Sequence, residues 1–147
     1  MEREDWTVGD DGTGPPDHDR IENIWKHLAR SDRFADFDPD PVDAPTVLRV
    51  WYADGFYPAT VEQAYLDVTW YVSGDFTVHY RETYTDGTSW EARWDRHPNS
   101  HNTREHYHPG PDASRQAAVD ADFSQDWRDV LTRILGEIEE RQQAFWE

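Results

Sequence analysis

The sequence predicts an α+β fold, a four-stranded antiparallel meander with N-terminal and C-terminal helices packed on one face. Three observations lead there: helical periodicity is confined to the two ends, apolar residues alternate through the middle, and the alternating segments are joined by short turns. Asp17 or Asp19 can cap a first helix in which Ile21, Ile24, Trp25 and Leu28 fall at i, i+3, i+4 and i+7, and which is expected to run to about Arg33. The stretch from Phe34 to Pro45 carries Asp36, Asp38, Pro39, Asp40, Pro41 and Asp43 and reads as an acidic linker. Strands follow over 46–53, 59–72, 76–84 and 88–96. A final helix is expected near Ser124, with Asp122 or Ser124 as its cap. Trp127, Val130, Leu131, Ile134, Leu135 and Ile138 form its apolar stripe, and Asp129/Arg133 and Glu137/Arg141 form i,i+4 pairs on its wet side. Residues 1–17 read as a flexible acidic tail and 18–147 as a single domain.

The register of the last hairpin decides what each sheet face carries. A two-residue loop would mix polar and apolar groups on both faces. A three-residue loop, Thr85 to Gly87, with Gly87 in the left-handed conformation, pairs Val78 with Trp94, Tyr80 with Ala92 and Glu82 with Trp90. One face then gathers Phe76, Val78, Tyr80, Trp90, Ala92 and Trp94 as core. The other displays Thr77, His79, Arg81, Glu91, Arg93 and Asp95, with Arg81 opposite Glu91 and His79 opposite Arg93. Tyr65, Asp67, Thr69 and Tyr71 join it, together with Arg49 and Trp51. Such a face can stack unpaired bases, or serve as a second core layer or a dimer face.

Composition narrows the classes of function. The 147 residues carry 31 acidic against 14 basic groups, a formal net charge of -17, which argues against an obligate DNA-backbone or anionic-membrane binder. Asp is favoured over Glu, and Lys26 is the single lysine beside 13 arginines, the pattern of a halophile whose short carboxylates hold water and cations in concentrated salt. With no cysteine, disulfides, thiolate metal sites and a Cys nucleophile are excluded. No apolar run is long enough for a membrane span and the N-terminus is acidic, so a cytoplasmic protein is expected. No phosphate loop, Rossmann glycine pattern or nucleophile elbow is present, and no cofactor is expected.

Residues 97–122 lack periodicity and hold four of the seven histidines, an unusually long connection for a compact domain. From Arg93 to Arg115, four arginines face three acids, a locally basic island in an acidic chain. Three readings compete there. His101, His106 and His108 can move protons while Arg93 and Arg81 clamp a phosphodiester, with His79, Arg96, Arg104 and Tyr107 as substrate contacts; this is the set of groups a metal-independent ribonuclease needs. His97, His101, His106 and His108 can instead ligate a metal, a weaker signal because the spacing is loose. The third reading is structural, with solvated histidines and sheet-face ion pairs such as Arg81/Glu91 and Arg93/Asp95. A non-enzymatic interaction module, self-associating as a homodimer or binding a partner protein through the aromatic sheet face, is the alternative function.

One further pattern carries a resemblance. A strand ending Arg93-Trp94-Asp95, then Pro98, His101 and His106-Tyr107-His108, follows a Tyr80-x-x-x-Tyr84-x-Asp86-Gly87 hairpin and precedes an acidic C-terminal helix. It resembles the TumE-type toxin family of prokaryotic toxin-antitoxin systems from about residue 46 to 146, with Trp94 where the family has Tyr and Arg96 where it has Asn. The resemblance implies a small α+β toxin in the cytoplasm, neutralised by a helix-turn-helix antitoxin and acting on RNA or translation. It also implies Arg93, Asp95, His101, His106 and His108 as the functional set.

Overall fold

The computed structural model describes residues 14–97 and 105–147. Helix α1 (His18–Leu28) leads into strands β1 (Phe34–Asp40), β2 (Val47–Tyr52), β3 (Val61–Trp70), β4 (Phe76–Tyr84), β5 (Ser89–Arg96), β6 (Glu105–His108) and β7 (Val119–Asp120), and helix α2 (Trp127–Ala144) closes the chain. All neighbours pair antiparallel in chain order, so the sheet is a seven-stranded meander rather than the four-stranded one expected. The α+β class and the two helices stand.

The three extra strands come from segments without apolar alternation. β1 occupies the expected linker, pairing Phe37 with Val50, Asp38 with Arg49 and Pro39 with Leu48. An edge strand tolerates Pro39 because a missing N–H costs nothing where no neighbour accepts it. The aspartates that suggested a linker charge this edge, which discourages pairing with other chains. β6 and β7 continue the meander inside the expected long loop.

Helix α1 ends at Leu28, five residues short of expectation. Asp17 caps it by accepting from the Arg20 N–H, while no apolar residue after Leu28 extends the buried stripe of Ile21, Ile24 and Leu28. The tail expected over 1–17 lies mostly outside the described residues; Asp17 N–H donates to Trp70 O and Val72 N–H to Pro15 O. Helix α2 starts later than expected because Asp126, not Asp122 or Ser124, accepts from the Arg128 N–H. Its expected ion pairs also differ. Arg133 pairs with Glu137 and Arg141 reaches the sheet, drawn by a buried carboxylate that outweighs a solvent-exposed helix pair.

The hairpin register holds at every pair, including Val78 with Trp94, His79 with Arg93 and Arg81 with Glu91. Gly87 sits at φ +89°, and its N–H donates to Tyr84 O, closing the three-residue loop. Both helices cover the face built from Leu48, Val50, Leu66, Val68, Trp70, Phe76, Val78, Tyr80, Ala92 and Trp94, to which they add Ile21, Ile24, Val130, Leu131, Ile134 and Ile138.

Glu82 is a charged residue fully buried in this apolar layer. Arg141 of α2 grips it with two hydrogen bonds of 2.8 Å, and Tyr80 and Tyr84 donate to it as well. Gln142 donates to Tyr57, whose hydroxyl meets that of Tyr80 at 2.7 Å. Burial pushes the Tyr57 and Tyr80 hydroxyls well above the usual tyrosine range, so they stay protonated as donors. The network locks α2 to β4 in one position.

Candidate functional site

The opposite sheet face is a packed polar layer, in line with the second-core-layer reading and not with an open display. Arg49, Tyr65, Asp67, Thr69, Tyr71, Thr77 and Asp95 are all buried, while Trp51, His79, Arg81, Glu91 and Arg93 remain half-buried. A polar side chain is tolerated there only when paired, and the register supplies the partners. Cross-strand pairing puts Asp38, Arg49, Asp67, His79, Arg93 and His108 in a single row over β1 to β6. The next row runs Thr69, Thr77, Asp95, His106 and Asp120 over β3 to β7. Strands pack about 4.8 Å apart, so acids and bases in a row fall within reach of one another. Arg49 clamps Asp67 with bonds of 2.7 and 2.8 Å and lies over the Tyr65 ring at 4.1 Å.

Where the rows reach β5 and β6, the residues converge on Asp95, whose side chain is only 2% exposed. His108 Nε2 lies 3.1 Å from Asp95 Oδ2, and Arg93 Nε donates to that oxygen, also at 3.1 Å. His97 Nε2 lies 3.3 Å and His106 Nδ1 3.7 Å from Oδ1. Burial acts to raise the Asp95 carboxyl, but its contacts with His108 and His97 together outweigh it and hold the group well below the usual carboxylate range. Asp95 is therefore a carboxylate at neutral pH.

His108 has its two ring nitrogens in different settings. Nδ1 lies 3.3 Å from the Ser114 carbonyl, which can only accept, so this nitrogen carries a proton. Nε2 lies between Asp95 Oδ2 and Arg93 Nη2, the latter at 3.3 Å. With a proton it donates to Asp95; without one it accepts from Arg93. A partner is present in either state, as a group that takes and returns a proton requires.

Next along the face, His79 Nε2 meets Glu91 Oε1 at 2.8 Å and Arg81 Nε lies 4.0 Å from Glu91 Oε2. The contact with His79 holds the Glu91 carboxyl below its ordinary value. His79, Arg81, Glu91 and Arg93 are thus half-exposed polar groups beside the buried cluster.

Of the residues singled out from the sequence, Arg93, Asp95, His106 and His108 come together, with Arg81 and His79 beside them. His101 and Arg104 lie outside the described residues. Arg96 and Tyr107 belong to the other face. Arg96 donates to Gly74 O, Phe123 O and Ser124 O and pairs with Glu105, tying β5 to the approach of α2. Tyr107 stacks on Trp94 with ring centroids 5.3 Å apart, in a pocket of about 250 Å³ shared with Trp90, Glu137 and Arg141. Two contributors escaped the sequence reading. The Ser114 carbonyl is a backbone group with no residue signature, and Asp120, 3.9 Å from His106 Nε2, looked like one more solvated acid.

Among the described residues no helix is long and apolar enough to cross a membrane. A protein-family model described as Toxin TumE matches residues 18–142, so the match takes in helix α1, which the resemblance read from residue 46 onward had left out. No curated protein and no solved structure gives a match.

Proposed function

The chain belongs to the TumE toxin family, and from that premise we propose that it is a toxin that cleaves RNA by metal-independent general acid/base chemistry at the Asp95 cluster, held in check by an antitoxin partner. The observation that carries this reading is His108 Nε2, set between Asp95 and Arg93 with a hydrogen-bond partner in either protonation state. RNA brings its own nucleophile, the 2'-hydroxyl, so the protein has to supply two proton-transfer groups and a cation. One imidazole takes the 2'-hydroxyl proton as that oxygen attacks phosphorus. The second gives a proton to the departing 5'-oxygen, leaving a 2',3'-cyclic phosphate and a 5'-hydroxyl. His108 and His106 fill these roles in the proposal. Asp95 orients both rings, and Arg93 with Arg81 offsets the charge that builds on the phosphorane oxygens. His79, half-exposed beside Arg81, contacts the substrate backbone.

Growth after induction tests the proposal. The wild-type chain is expected to arrest its host, and His108→Ala and His106→Ala to permit growth at equal protein level. Arrest by the double variant would remove the cluster from the mechanism. Normal growth with every version would favour a non-enzymatic interaction module built on the same sheet.

A further inference from the structure

Two buried polar atoms near Asp95 have no hydrogen-bond partner among the described residues: Asp95 Oδ1 itself and His106 Nε2. A buried carboxylate oxygen without a partner calls for an explanation, and a bound ion is one. The rings that flank Oδ1 narrow the choice. His97 Nε2 at 3.3 Å and His106 Nδ1 at 3.7 Å approach this oxygen without bonding to it in line, and one ligand atom from each of the three residues lies within 4.8 Å of the others. In a tetrahedral site with metal-to-ligand distances of about 2.05 Å, ligand atoms stand about 3.3 Å apart. Two edges of that tetrahedron are nearly formed, and the atoms of the third lie within 4.8 Å of each other.

The donor set is also chemically coherent. Two imidazoles and one carboxylate suit zinc and its neighbours, whereas magnesium and calcium prefer an all-oxygen shell. Ligation through His106 Nδ1 puts the remaining ring proton on Nε2, facing Asp120 Oδ1 at 3.9 Å; a carboxylate behind a ligating histidine is the usual support for such a site. His108 stands outside the set, bound to the other carboxylate oxygen.

We propose that Asp95, His97 and His106 form a binding site for one divalent transition-metal ion of the zinc class. This assignment stands independently of the RNA-cleavage reading. One consequence rests on that reading: a bound ion occupies the His106 nitrogen and neutralises Asp95, and so silences proton transfer in the cluster. The metal would then act as an inhibitor.

Calorimetric titration of untagged, chelator-stripped protein with Zn²⁺, together with the visible spectrum of the Co²⁺ form, tests the site. The expected result is one ion per chain with an intense tetrahedral Co²⁺ spectrum. His97→Ala, whose ring is partly exposed and whose loss spares the core, is expected to weaken Zn²⁺ binding at least tenfold, and His108→Ala to retain it. Circular dichroism confirms that each variant is folded. No stoichiometric binding, or equal affinity in wild type and His97→Ala, would overturn the assignment. RNA cleavage is read separately: inhibition by Zn²⁺ that His97→Ala relieves supports the inhibitory consequence. Activation by Zn²⁺ would keep the site and overturn metal-independent cleavage.

Discussion

Asp95 is the residue on which the cluster depends, because one buried carboxylate organises His108, Arg93, His97 and His106 at once. Its acidity in the folded chain exceeds that of an ordinary aspartate, so between the two values the unfolded chain binds the extra proton. The stability that Asp95 contributes is therefore complete above about pH 4, the ordinary aspartate value, and is lost as the pH falls below it. Urea unfolding at about pH 6 and about pH 3 should show wild type losing more stability over that interval than Asp95→Asn. Equal losses would mean that the carboxylate is not held by its neighbours. Arg93 and Asp95 were already paired as strand neighbours in the sequence, whereas His106 and His108 were read as part of a long connection, not of a strand. What the sequence did not carry was that Asp95 sits between the two strands, since the register of β5 against β6 depends on a segment without apolar alternation.

Elements report the same division between pattern and context. β3, β4 and β5 were legible because a half-buried strand must alternate, and the register of the β4–β5 hairpin followed from asking which loop length kept one face apolar. β1, β6 and β7 were not legible. They lie at the margins of the sheet, where burial on one side is incomplete and aspartate, histidine and proline are tolerated. The position of α2 rests on Arg141 and Glu82, an arrangement the helical pattern concealed because Arg141 also fits a solvent-facing pair with Glu137. Arg141→Ala leaves Glu82 buried and short of its cation, which costs about 3 kcal/mol. Thermal and urea unfolding are expected to show that loss, with Arg141→Ala/Glu82→Gln recovering part of it; an Arg141→Ala change below about 1 kcal/mol would place the docking of α2 elsewhere. Gly110 is a second fixed point. A Cβ there would come within 2.0 Å of the Trp90 ring, so this loop reaches β5 only with glycine at that position.

Over the whole molecule acidic residues far outnumber basic ones. With a formal net charge of -17, self-repulsion opposes the compact state, and salt relieves it. Raising KCl from about 0.1 M to about 2 M is expected to increase Tm by about 6 °C, roughly 2 kcal/mol for a chain of this size. A flat or falling Tm would show that the excess charge carries no such penalty. His79, Arg81 and Arg93 gather on the polar sheet face, each beside the carboxylate of Glu91 or Asp95, and the proposal has RNA approach there. The fold places arginines and imidazoles together there, which is what the proposed cleavage requires.

The central claim is that His108 moves a proton in the cleavage of RNA, and the most direct measurement is the chemistry of the product ends. Purified protein is incubated in concentrated KCl and EDTA with a defined single-stranded RNA, and the fragment termini are identified by mass. The account predicts 2',3'-cyclic phosphate and 5'-hydroxyl ends from the wild type, with the rate falling at least a hundredfold in folded His108→Ala. Intact RNA with the wild type, fragments ending in 3'-hydroxyl and 5'-phosphate, or an undiminished rate in His108→Ala would contradict it.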